Sequence, residues 1–280
     1  MDINPIDADA FNAFEAAGWE DHAAAYVRHL TVFTRPLADP LLDAAGVGAG
    51  TRVLDVASGP GHVAAAAAAR GAIPLGVDIA ASMVALASAS YPGLEFRQGD
   101  AQQLPVDDKA VDAVVGNFAV PHLGRPEQAA AEFARVLVPG GRVALTTWNT
   151  PAAARHVGLV VDAVAAVGVT PPPVSQLPAG PSFFRFADEA EFAGLLSGAG
   201  FRDVVVQTVD FGHRVASAAD HWQAILAGSI RIGTLVTAQP EPVQAKIRTE
   251  YDRLAKEYQI ADGSLELPVS VKLASGVRLG

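Results

Sequence analysis

The 280-residue chain contains no cysteine. That excludes disulfides, thiolate nucleophiles and Cys-ligated zinc together, and removes cysteine usage as a sign of compartment. Positive charge is scarce: 20 Lys and Arg stand against 30 Asp and Glu, a formal charge of −10. Such a balance opposes the basic surface that nucleic-acid backbones and anionic membranes reward, so neither is an expected partner. Long apolar runs are missing too. Residues 163–184 carry no charge, but Pro171, Pro172, Pro173, Pro178 and Pro181 break them, a pattern that makes no spanning helix. The start, Met1-Asp2-Ile3-Asn4-Pro5, has neither the basic nor the apolar region of a secretory leader, and the expected location is cytoplasmic.

What the chain does have is apolar content, half of its residues, enough for one large α/β domain with an elaborated cap or for two small domains. From Asp7 to Ala45 the pattern is helical, with Phe11, Phe14, Trp19, Tyr26, Leu30 and Phe33 on a broad apolar face. Strand-like and helix-like runs then alternate. They are Arg52–Ala57, Val63–Arg70, Ile73–Asp78, Ser82–Ser90, Leu94–Gln98, Ala110–Asn117, Pro126–Leu137 and Arg142–Trp148. Alternation of this kind predicts a parallel sheet covered on both faces. A Pro-rich segment around a helix at Arg155–Val167 follows, then a helix at Asp188–Ala199 and a strand at Phe201–Phe211. Residues 216–259 read as helical and Leu267–Leu273 as a last strand.

The chemistry concentrates at Val53-Leu54-Asp55-Val56-Ala57-Ser58-Gly59-Pro60-Gly61-His62-Val63, a strand running through an acid into a Gly-Pro-Gly turn and an Ala-rich helix. Gly59-x-Gly61-x-x-Ala64, with Asp78 near the expected ribose-acid distance, fits a dinucleotide site. It fits S-adenosylmethionine as well, because glycines at 59 and 61 let backbone approach any flat ligand. Charge separates the two. An ionised Asp55 repels a pyrophosphate but attracts a sulfonium and an ammonium, so Asp55 favours the methyl donor.

Read in order, the motifs resemble the class I S-adenosylmethionine-dependent methyltransferases of small-molecule type, akin to the ubiquinone/menaquinone-biosynthesis enzymes. Val53 through Gly61 resembles the family's first motif, Gly76-Val77-Asp78-Ile79 its second, and Gly99-Asp100-Ala101-Gln102-Gln103-Leu104-Pro105 its third. Asp112 to Phe118 resembles the fourth strand, and Leu137-Val138-Pro139-Gly140-Gly141 the approach to the fifth. Ala57 stands where the family usually has glycine.

The resemblance implies an α/β fold: a Rossmann-like seven-stranded, mostly parallel sheet with helices on both faces and a helical cap from the N-terminus and two insertions. The divisions expected are a cap at 1–45, the donor-binding core at 46–148, a cap insertion at 149–182, core again at 183–211, a helical insertion at 212–265 and the last strand at 266–280. It also implies S-adenosyl-L-methionine as donor and S-adenosyl-L-homocysteine as product. Donor contacts are expected from Tyr26, Asp55, Ala57, Ser58, Gly59, Gly61, Asp78, Ile79, Met83, Asp100, Ala101, Gln102, Asn117 and Phe118. Asp78 would hold the ribose, while Asp100 and Ala101 would hold the adenine.

Of the seven histidines, His122 follows the fourth strand most closely and is the one candidate base. His62 belongs to the first helix turn. His22, His29, His156, His213 and His221 are assigned to cap segments, where His221-Trp222 either lines a pocket or forms a buried aromatic pair. Too few carboxylates accompany Asn117 and Thr146-Thr147-Trp148 for a catechol-type metal site. The expected activity is in-line methyl transfer to a small-molecule acceptor through oxygen, nitrogen or carbon. A donor-binding cyclase and an NAD-binding or nucleotide-sensing module are the alternatives.

Overall fold

The computed structural model describes residues 7–169, 172 and 175–279; the expectations about residues 1–5 and about Pro171 and Pro173 lie outside them. Strands β1 (Arg52–Val56), β2 (Ile73–Asp78), β3 (Glu95–Gln98), β4 (Val111–Gly116), β5 (Leu137–Trp148), β6 (Phe201–Val215) and β7 (Leu265–Arg278) form a single sheet. Its order is β3-β2-β1-β4-β5-β7-β6. The first five strands run parallel, and β7 is antiparallel to both β5 and β6. This is the seven-stranded, mostly parallel sheet expected.

Period-two alternation decides which side each strand residue covers. Val53, Ala113, Val115 and Ala144 join Leu41, Leu42, Val63 and Ala67 on one face, under α3 (Ala38–Ala44) and α4 (His62–Ala69). Leu54, Val56, Val114, Val143 and Leu145 join Phe133, Val136, Phe192 and Leu196 on the other, under α6 (Pro126–Val136) and α8 (Glu189–Gly198). Pro126 opens α6, where its missing N–H is no loss. Truncating fully buried Phe133 to alanine would cost ~3–5 kcal/mol.

The remaining helices, apart from α5 (Ala81–Ser90), which packs against β2 and β3, pack chiefly on one another. α1 (Ala8–His29) starts at Asp7, whose carboxylate accepts from the Ala10 amide at 3.0 Å, and is followed by α2 (Thr31–Thr34). α7 (Arg155–Val167), α9 (Ala218–Gly228), α10 (Ile230–Thr237) and α11 (Glu241–Ala255) share an apolar cluster built on Leu159, Val160, Trp222, Ile225, Ile247 and Tyr251. Among the described residues, no helix is long and apolar enough to cross a membrane.

Three strands extend by more than one residue beyond the sequence reading. β5 begins at Leu137 rather than Arg142, because Leu137 already pairs with Val111 before a bulge through Pro139-Gly140-Gly141. β6 runs to Val215 and β7 from Leu265 to Arg278, because their antiparallel ladder continues out to Val215↔Leu265. His213, assigned to a cap segment, therefore sits on the sheet opposite Leu267.

Candidate active site

β1 and β4 are neighbours, and the chain departs from them in opposite directions, β1 leading towards β2 and β4 towards β5. A crevice opens at such a reversal of strand order, and ligands of open α/β sheets lie there. Here it is a cavity of about 1170 Å³ including its mouth, against roughly 300–1,000 Å³ for a pocket holding one drug-sized ligand.

The loop after β1 forms the floor. Ala57, Gly59 and Gly61 all have positive φ, at 53°, 51° and 85°. The two glycines do different work. A Cβ on Gly59 would meet nothing within 4 Å, whereas one on Gly61 would lie 2.7 Å from Cζ of Phe96. Gly59 lines the cavity; Gly61 does not, and lets α4 close on the sheet. Ala57 keeps the left-handed conformation that glycine supplies elsewhere in the family, and Phe118 shares it at 59°, so both carry backbone strain at the cavity wall.

Two of the predicted acids hold this loop in shape. Asp55 accepts from the Ala64 amide at 3.0 Å, tying the first turn of α4 to β1. It is 1% exposed and does not line the cavity. Burial pushes its carboxyl up to about 8, the Ala64 bond opposes this, and Asp78 adds to it. Asp55 stands behind the loop rather than among the lining residues, where its charge would act on a ligand only at a distance. Ser58 stands there too. It is buried with its Oγ unpartnered, near Gly76 of β2, and lies outside the cavity lining.

Asp78 lines the cavity and also braces the loop, accepting from the Gly59 amide at 2.8 Å and the Ala80 amide at 2.9 Å. Burial raises its pKa, with the two amides and His122 opposing. Asp100 accepts from the amide and the side chain of Gln102 through one oxygen. Gln102 in turn takes Asn12 Nδ2 and the Arg125 amide on its carbonyl. Tyr26, Ala57, Ile79, Met83, Ala101, Asn117, Phe118 and His122 complete the predicted residues that the structure brings to the cavity.

Asn117 lines it with its amide already engaged, donating to the Thr34 carbonyl at 3.0 Å and accepting from Thr146 Oγ1 at 2.7 Å. Tyr26 bonds Thr34 Oγ1 at 3.1 Å, and burial, Asp78 and Asp55 push its phenol up to about 12 against that bond. His62 opens α4 as expected, and burial, with Arg35 nearby, pushes its imidazole down to about 4.

Helix α1 roofs the cavity and supplies residues that sequence reasoning missed. Asn12, Glu15 and Trp19 all line it. Glu15 is 3% exposed, and its Oε2 lies 2.9 Å from Nδ1 of His122 while its Oε1 has no partner. Trp19 meets the His122 ring edge-on at 5.0 Å and the Tyr26 ring at 5.4 Å. A signal was present: Phe11, Glu15 and Trp19 are four apart, so the acid interrupts the apolar stripe of the helix. Such an acid is buried with a partner or for a ligand.

The far wall is aromatic. Phe118 stacks on Trp148 at 3.8 Å, Phe33 stacks on His156 at 4.7 Å, and Phe183, Val157 and Ile225 lie beside them. His221-Trp222 forms the buried packing pair rather than a pocket wall: His221 Nδ1 is 2.8 Å from the Tyr251 hydroxyl, and Trp222 lies 4.9 Å from the Tyr251 ring. Among the described residues, no three of His, Asp and Glu gather as metal ligands would.

The comparisons with known proteins agree with this geometry. Residues 54–145 match the family model described as a methyltransferase domain. The chain is 32% identical over 170 residues to the ubiquinone/menaquinone biosynthesis C-methyltransferase UbiE of Rubrivivax gelatinosus, spanning 59% of this chain and 68% of that protein. To the demethylmenaquinone methyltransferase of Clavibacter sepedonicus it is 38% identical over 106 residues, 37% of this chain and 43% of that one. The match thus spans under half the length of several curated relatives.

At the level of fold, the chain resembles the YcgJ protein of Bacillus subtilis, with a TM-score of 0.56 and 20% identity over 87% of this chain and 98% of that one. It also resembles phosphoethanolamine N-methyltransferase 2 of Haemonchus contortus, solved with S-adenosyl-L-methionine, with a TM-score of 0.56 and 17% identity over 96% and 60% of the two chains. The chain belongs to the class I S-adenosylmethionine-dependent methyltransferases. Its residues fit that family's donor: carboxylates at the ends of β2 and β3, apolar Ile79 and Met83 between them, and an open Gly59 on the floor.

Proposed function

We propose that this chain transfers a methyl group from S-adenosylmethionine to a small uncharged ring acceptor of the quinol kind. The observation that carries this reading is one continuous cavity with two chemistries, acids at the ends of β2 and β3 and an aromatic wall opposite, with His122 among the lining residues. When bound, the donor supplies an electrophilic methyl on sulfur and leaves as S-adenosylhomocysteine. Asp78, Asp100, Ala101 and Gln102 would hold its nucleoside, Ile79 and Met83 would pack on it, and Ala57, Gly59, Asn117, Phe118 and Tyr26 would hold the rest. Asp55, Ser58 and Gly61 shape the loop from behind.

His122 takes the proton that an acceptor hydroxyl or acidic ring carbon loses as the new bond forms. Glu15 holds the imidazole by Nδ1, which leaves Nε2 for the acceptor. Alignment and exclusion of water by α1 supply much of the remaining acceleration. The acceptor class is supported by the aromatic chamber and by the names of the quinone-modifying relatives.

Incubation with S-adenosylmethionine and a reduced naphthoquinone lacking the ring methyl should give a product heavier by one methyl group in mass spectrometry. The reading is overturned by calorimetry in which S-adenosylhomocysteine fails to bind while NAD binds tightly.

A further inference from the structure

The acidic residues of the cavity, Glu15, Asp78 and Asp100, come from α1 and the ends of β2 and β3. Elsewhere in the lining, Phe33, Trp148 and Phe183 share one apolar cluster, joined by Val157, Ile225 and, at the start of α7, His156. Among the described residues, no lysine, arginine, aspartate or glutamate of the lining belongs to this aromatic group. His156 is 1% exposed, and neither ring nitrogen has a hydrogen-bond partner. Its ring is fixed between two aromatic walls, stacked on Phe33 at 4.7 Å and edge-on to Trp148 at 4.2 Å.

Burial, with His221 and His213 close by, holds the imidazole neutral by keeping its pKa well below the ordinary value. A neutral imidazole offers one N–H and one lone pair. Burying both unmet is unfavourable, and buried polar groups are otherwise nearly always paired. A phenylalanine or leucine would fill the same space without that cost. His156 is among the residues that line the cavity, so a ligand filling it comes against the imidazole.

We infer that His156 recognises the acceptor, exchanging a hydrogen bond with a hydroxyl or carbonyl oxygen of an uncharged aromatic compound held against Phe33 and Trp148. This rests on the transferase reading only in naming that ligand the methyl acceptor. The chamber's selection follows from its walls. A charged ligand would find no free counter-charge there, since Arg231 over the Phe183 ring already donates to the Pro121 and Pro181 carbonyls. A plain hydrocarbon would leave His156 unmet.

The test is binding of three probes, 2-naphthol, naphthalene and 2-naphthoate, to the full chain with and without saturating S-adenosylhomocysteine, followed by calorimetry. The wild type should bind 2-naphthol at least about tenfold more tightly than naphthalene, the discrimination one buried hydrogen bond supports, and 2-naphthoate least. His156→Phe should bring 2-naphthol to parity with naphthalene, and His156→Gln, which keeps a donor and an acceptor, should restore part of the preference. Thermal melts of both variants establish that they are folded. Equal binding of 2-naphthol and naphthalene to the wild type, a preference that survives in His156→Phe, or no binding of either neutral probe overturns the inference. Probe binding that depends on His156 in a chain that binds no S-adenosylhomocysteine would sink the transferase reading and leave the subsite standing.

Discussion

Glu15 and His122 are separated by 107 residues of chain and meet at 2.9 Å beneath helix α1. The carboxylate is almost wholly buried and the imidazole partly exposed to the cavity. A buried acid on one ring nitrogen fixes the tautomer and orientation of the other.

The pair separates positioning from binding. Glu15→Gln should lower kcat for methyl transfer roughly 10–100-fold, as loss of an orienting partner does, and His122→Gln roughly 10²–10⁴-fold. The affinity for S-adenosylhomocysteine, measured by calorimetry, should change little in either. His122→Ala is the harsher variant: it leaves the buried Glu15 carboxyl without its partner, which costs about 1–3 kcal/mol, and should lower the melting temperature where Glu15→Gln does not. A Glu15→Gln enzyme with unchanged kcat would remove the acid from the reaction.

Protonation of the buried acids gives a pH dependence with a definite sign. The native pKa of Asp55 is raised to about 8 and that of Asp78 is also raised, both chiefly by burial. The folded chain therefore holds protons that the unfolded chain has released above about pH 4. These two acids remove stability from the donor-free protein as pH rises from about 4 towards 8, by at most about 1.4 kcal/mol per pH unit for each acid. His62, His156 and His221, held neutral by burial, remove it as pH falls below about 6.5. The net fall with rising pH should therefore show between about pH 6.5 and about pH 8. Asp55→Asn should flatten melting temperature against pH. A cationic donor reverses the preference by favouring ionised acids, so S-adenosylmethionine should bind more tightly at pH 7.5 than at 5.5 and release protons on binding. Calorimetry in two buffers of different ionisation enthalpy measures that release, which should be smaller for S-adenosylhomocysteine, which lacks the sulfonium.

The strands and their faces were legible because period two and the acid at each strand end are local signals, written within a few residues. β6 beyond Phe211 was not, because this edge strand covers little and its buried and exposed positions carry mixed side chains. At Asp55 and Ser58 the motif gave the order along the chain but not the side of the loop on which each side chain falls. Asp55 is drawn back by the Ala64 amide. His122 could be placed from sequence by its nearness to β4. His156 could not, since the seating of α7 depends on packing against α11, nearly a hundred residues later.

The two loop glycines should respond differently to the same added methyl. Both substitutions strain a left-handed backbone, by about 1–2 kcal/mol. Gly61→Ala also drives a Cβ into the Phe96 ring, and its melting temperature should fall clearly further than that of Gly59→Ala. Gly59→Ala adds its methyl to open cavity floor, so its larger effect should be on S-adenosylhomocysteine affinity. Equal losses of stability, with donor affinity intact in both, would show that Gly59 faces no ligand.

The roof should report donor binding directly. Trp19 lines the cavity, touches His122 and Tyr26 edge-on, and packs with Met83 beside the end of β2. Its neighbours on α1 are pinned to the core by the Asn12–Gln102 bond and by the Ser82 amide donating to Glu20. A nucleoside seated on Asp78 must therefore lie close to the indole. Addition of S-adenosylhomocysteine should shift or quench the intrinsic fluorescence, and Trp19→Phe should abolish that response while Trp148→Phe, on the aromatic far wall, leaves most of it. The opposite pattern, a signal lost only in Trp148→Phe, would move the donor to the chamber assigned here to the acceptor and exchange the roles of the two ends.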